Sequence, residues 1–124
     1  MPILTAHLTS GHSPAQKTAL LEQATQAVVQ SINAPLSSIR MVLQEYEPDS
    51  TIVAGKVGAP QLLFVVYLIE GRTPELKAAL IAALNQAATA SIGISSDDVR
   101  VVVRDVAKTD MGMAGGISAL AAGR

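Results

Sequence analysis

The feature that most limits what this chain can fold into is an ungapped internal repeat, in which residues sixty positions apart match along most of its length. Gly11, Pro14, Lys17, Ala19 and Leu20 recur as Gly71, Pro74, Lys77, Ala79 and Leu80. Further on, Gln26, Ala27, Ser31, Ile32, Arg40, Val42 and Gly55 recur as Gln86, Ala87, Ser91, Ile92, Arg100, Val102 and Gly115. Whatever one copy folds into, the other folds into as well. The chain of 124 residues is read as a single domain, 1–124, built of repeats 2–58 and 62–118.

Each copy opens on a strand, Ile3–Thr9 or Leu62–Ile69. The first alternates polar and apolar residues, as a half-buried strand does, whereas the second is apolar throughout and reads as covered on both faces. A helix follows. Ser13 and Thr73 are placed to cap it, Pro14 and Pro74 fall at the first helical position, and Gln16 completes a capping box behind Ser13. Leu20, Ala24, Ala27 and Val28 form one buried stripe; Leu76, Leu80, Ala83, Leu84 and Ala87 form the other. Asn33 and Gly93 stop the helices, and second strands follow at 39–46 and Val99–Val106. A strand, helix, strand unit with so short a connector makes two parallel strands. The expected fold is therefore α+β: tandem duplicated βαβ units forming a four-stranded mixed sheet with two helices on one face. The Gly-, Pro- and Asp-rich segments 47–60 and 110–123 read as hairpins and loops that touch neighbouring subunits.

Composition removes several classes of function. A net charge of −1 without a basic stripe gives no footprint for nucleic acid. The absence of cysteine excludes disulfides and thiolate chemistry and fits a cytoplasmic protein. The longest apolar run, Leu62–Ile69, is too short to span a bilayer, so no membrane association is expected. With two histidines and no cluster at ligand spacing, no metal or other cofactor is expected.

The opening Met1-Pro2-Ile3, the stretch from Ala34 to Arg40, the run from Leu68 to Thr73 and the closing Gly112-Met113-Ala114-Gly115-Gly116 together resemble the 4-oxalocrotonate tautomerase superfamily. Its βαβ units begin with a proline exposed by loss of the initiator methionine. The resemblance implies a fused member that assembles as a homotrimer, since short members assemble as hexamers of single units. It also implies catalysis by Pro2 together with the loop arginine of the partner unit. Copy two keeps that arginine as Arg72 but has Leu62 in place of the proline; copy one keeps Pro2 but has His12 in place of the arginine. Pro2 and Arg72 thus complete one site, and Leu62 with His12 leaves the reciprocal one dead. The family arginine that grips a far carboxylate matches both Arg40 and Arg100, and the aromatic wall positions hold Thr51 and Met111, of which Met111 could supply a softer apolar wall.

The implied chemistry suits these residues. Moving a proton between atoms of a small unsaturated 2-hydroxy or 2-oxo carboxylic acid needs a base that is neutral near neutral pH. An α-amino group ordinarily titrates at roughly 8, and an apolar pocket near guanidinium groups lowers that. Arg72 offers a planar fork for a carboxylate and for the charge of a dienolate. Two alternatives stand beside this tautomerase. Relatives that hydrate or dehalogenate use an extra carboxylate, yet those positions hold Val53, Met113 and Ser38. A catalytically silent oligomeric module is the other, favoured if Met1 stays attached. Arg72 could instead pair with Glu70, and Arg40 and Arg100 with Glu45, Asp98 or Asp105, as ordinary surface contacts.

Overall fold

A computed structural model describes residues 2–124 of the chain. In chain order it contains β1 (Ile3–Thr9), α1 (Pro14–Ile32), β2 (Arg40–Tyr46), β3 (Ile52–Val53), β4 (Lys56–Val57), β5 (Leu62–Ile69), α2 (Pro74–Ile92) and β6 (Val99–Val106). The main sheet runs β2-β1-β5-β6; β1 is parallel to β2, β5 is parallel to β6, and β1 and β5 meet antiparallel at the centre. In that central pair Thr5 faces Val65, its own duplicate. A residue opposite its own copy marks a local two-fold axis, so each end of the sheet has an equivalent at the other.

The helix ends are made by the residues read as caps. The Ser13 hydroxyl accepts from the Gln16 amide and the Gln16 side chain accepts from the Ser13 amide, closing the capping box. Thr73 caps α2 from the Leu76 amide, and Asn33 and Gly93 end the helices in left-handed conformation.

One core lies between helices and sheet. Leu4, Ala6, Leu8, Leu62, Phe64, Val66 and Leu68 point into it, and Leu20, Ala24, Val28, Leu80, Leu84 and Ala88 meet them from the helices. The opposite face of the sheet has no cover within the chain: Ile3, Val42, Tyr67 and Val102 are exposed there. Within a single chain β5 is covered on its inner face alone. Its inward residues are buried while Leu63 and Val65 are half-buried and Tyr67 is exposed, so its apolar outer side has no partner in a single chain.

Other differences are local. Leu76 is exposed rather than part of the stripe of α2, because it occupies the third helical position, where copy one carries the polar capping residue Gln16. Ile39 ends a 3-10 turn, Leu36–Ser38, and β2 begins one residue later. Segment 47–60 does form a hairpin, β3 with β4, whereas 110–123 folds into turns closed by a single Gly112–Ser118 bridge. No helix among the described residues is long and apolar enough to cross a membrane.

Candidate active site

Antiparallel pairing of β1 and β5 decides which candidate residues share an end of the sheet. Ile3 faces Tyr67, so Pro2, at the start of β1, lies beside the end of β5, and Arg72 follows that end by three residues. Leu62 faces Leu8, which puts Leu62 and the loop carrying His12 at the opposite end. Gly71, at φ 122°, gives the turn before Arg72 a backbone that a side chain would strain.

The Pro2 ring is fully buried, and its carbonyl accepts the Arg40 amide at 3.1 Å. The methionine removal on which a free amine depends concerns Met1, outside the described residues. Arg72 is half-buried and makes no side-chain hydrogen bond or ion pair among the described residues. Glu70 does not hold it; the Glu70 carboxylate instead accepts the Lys108 amide at 3.5 Å.

Arg40 and Arg100 separate. Arg40 faces Ile3 and stands at the Pro2 end, whereas Arg100 faces Leu63 at the other. Each donates through Nη1 to two carbonyls of the preceding turn, Ser37 and Ile39 for Arg40, Asp97 and Val99 for Arg100. Neither forms the surface ion pairs weighed above, because Glu45 pairs with Lys17 at 2.8 Å and Asp105 with Lys77 at 2.7 Å. Of these two, Arg40 is the one at the Pro2 end within one chain. Met111 is buried against Ile69 and Ala119 in a small second cluster, flanked by Val106 and Met113. That cluster caps the same end of β5 from which Arg72 emerges.

At the Leu62 end, a cleft of about 320 Å³ is lined by Gly11, His12, Gly58, Pro60 and Asp98 among others. Leu62 follows Gln61 without a break, so its nitrogen is an amide. On the open sheet face near that end, His7 Nδ1 and the Tyr46 hydroxyl lie 2.7 Å apart beside a cleft of about 330 Å³. Neither residue was among the candidate site residues read from the sequence. The register puts Gln44 opposite His7, with Tyr46 one step along the same face.

Tandem βαβ units that share one four-stranded mixed sheet, with both helices on one face, define a class of small duplicated α+β proteins. The family described as Tautomerase enzyme matches this chain at residues 2–59 and 64–120. The chain belongs to that family, whose members are isomerases. Among curated relatives, a probable tautomerase of Ralstonia nicotianae is 51% identical over 53 residues, 43% of this chain and 76% of the relative. A 2-hydroxymuconate tautomerase of Comamonas testosteroni is 41% identical over 59 residues, 48% of this chain and 92% of the relative. Among solved structures, the Q0 fused 4-OT symmetric trimer is similar at TM-score 0.96 and 61% identity, over 98% of this chain and 99% of that one. Pt0534 inactivated by 2-oxo-3-pentynoate is similar at TM-score 0.96 and 49% identity, over the same shares of both chains.

Proposed function

We propose that this tautomerase moves a proton within a small unsaturated 2-hydroxy or 2-oxo carboxylic acid, with the Pro2 amine as general base and Arg72 as carboxylate ligand. The observation that carries the reading is the β1/β5 register, which sets Pro2 and Arg72 at one end of the sheet and Leu62 and His12 at the other. The 2-hydroxymuconate tautomerase relative supports the substrate class.

In the proposed reaction the Pro2 nitrogen, freed by removal of Met1, takes the proton of the enol hydroxyl. The oxygen electron pair becomes the carbonyl, the double bonds shift along the carbon chain, and the prolinium returns the proton to a chain carbon. Arg72 holds a carboxylate and the dienolate charge that exists between the two transfers. Of the two arginines matched to the family's far-carboxylate ligand, Arg40 stands at the same end, with one Nη1 held by the Ser37 and Ile39 carbonyls, and Arg100 could reach that end only from a neighbouring copy. Met111 with Ile69 supplies the apolar wall. The open sheet face is covered by two further copies in a homotrimer, the assembly of the Q0 fused 4-OT structure.

Intact mass should show the loss of Met1. With 2-hydroxymuconate, followed in the ultraviolet, Arg72→Ala should lower kcat/KM by about 100- to 1,000-fold, the cost of one oxyanion donor. Pro2→Ala should lower it at least as far. Full activity in either variant sinks the assignment. Modification by 2-oxo-3-pentynoate, expected once per chain and absent from Pro2→Ala, gives a second readout.

A further inference from the structure

The two ends of the sheet differ in one guanidinium that the tautomerase reading leaves unused. Across the four strands, the row beside Pro2 reads Arg40, Ile3, Tyr67, Arg104. The row at the other end reads Gln44, His7, Leu63, Arg100. The repeat equates Arg40 with Arg100, but it equates Arg104 with Gln44. Arg104 therefore belongs to one end only. That end also holds Pro2 against Leu62 and Arg72 against His12, and it has Ser37 and Ser38 where the other has the carboxylates Asp97 and Asp98. Each of these departures from symmetry favours an anion at the Pro2 end and disfavours one at the other.

Within one chain Arg104 has no side-chain partner among the described residues. It is exposed, and no side-chain hydrogen bond or ion pair joins it to another described residue. Its neighbours along the strand on the open face are Val102 and Val106, and Tyr67 lies opposite. The adjacent Asp105 points to the other side of the sheet, where it holds Lys77. By contrast, Arg40 and Arg100 each spend an Nη1 on backbone carbonyls. On the edge strand β6, a planar fork left unpaired by its own chain is well matched to a carboxylate that comes from outside the chain.

We propose that Arg104 is a specificity-determining residue of the Pro2 site, binding the second carboxylate of a dianionic substrate. It stands across β5 from Ile3, two strand spacings or about 10 Å away. That suits the far end of a chain-like dicarboxylate whose reacting end lies at Pro2 and Arg72, and the placement of that reacting end rests on the proposed function. A monocarboxylate offers Arg104 nothing, so the residue selects by charge through binding and leaves the proton transfer alone.

The test compares wild type with Arg104→Gln, which installs the residue of the other copy, and with Arg104→Lys. Substrates are 2-hydroxymuconate, a dicarboxylate, and phenylenolpyruvate, a monocarboxylate. In Arg104→Gln the ratio of kcat/KM for the first over the second should fall about tenfold, carried by KM, with partial recovery in Arg104→Lys. An unchanged ratio, including equal losses on both substrates, overturns the proposal. Calorimetric binding of adipate against hexanoate keeps it separable from the reaction. Wild type should prefer adipate, and Arg104→Gln should lose that preference; a preference that survives overturns the proposal. Wild type inactive on both enols yet selective for adipate would instead overturn the proton-transfer reading and uphold Arg104.

Discussion

Pro2 and Leu62 occupy duplicate positions at the starts of β1 and β5, both fully buried, and they differ in what the backbone nitrogen is. Pro2 yields a secondary amine once Met1 is gone, whereas the Leu62 nitrogen is bound to Gln61 and has no basic pair of electrons to offer. It follows that His12→Arg, which restores a guanidinium at the Leu62 end, should leave kcat/KM for 2-hydroxymuconate unchanged. A rise in rate would show that the second end already has a base. The complementary losses at positions 2, 12, 62 and 72 were legible in the sequence because each is a departure from an otherwise matching repeat. Which of Arg40 and Arg100 accompanies Pro2 was not legible, since it depends on strand register, and no single strand carries that information.

The elements themselves were legible where local chemistry decides them. Ser13 with Gln16, Thr73, Asn33 and Gly93 mark the helix ends through hydrogen bonds and left-handed backbone within a few residues of chain, so α1 and α2 could be placed closely. Ser13→Ala should remove about 1 kcal/mol of stability, read as a lower midpoint in urea. The covered side of β5 was harder. An unbroken apolar run looks the same whether its second face meets helices or another copy of the chain. The β3/β4 hairpin turns on Ala54 and Gly55, with φ of 50° and 83°. Positive φ at both central residues is the type I′ pattern that asparagine followed by glycine fits best, and alanine pays for its Cβ there. Ala54→Asn should therefore raise stability, by up to about 1 kcal/mol, with no change in activity.

At the scale of the whole molecule, two copies related by a local two-fold axis have diverged into one end that carries Pro2 and Arg72 and one closed by chain. The closure is covalent. Residues 58–60 contribute Gly58 and Pro60 to the cleft beside His12, leading straight through Gln61 into Leu62, so the linker that joins the repeats also removes the second amine. This gives the duplication a direct test. A chain carrying Leu62→Pro, His12→Arg and Asp98→Ser has the proline, the loop arginine and the neutral neighbour of the Pro2 end at the other end as well, while keeping Gln44 and Asp97, but its position 62 is still an amide. Labelling by 2-oxo-3-pentynoate should remain at one per chain by intact mass. If the same variant is then cut by an inserted protease site between 61 and 62, the two halves stay together through the shared core, where Phe64, Leu4 and both helices interlock. Labelling should then rise to two per original chain, and activity should approach double. Two labels before cutting would show that the reagent reaches something other than a terminal proline. One label after complete cutting, with the halves still associated, would show that the Leu62 end has lost more than its amine, arginine and neutral neighbour.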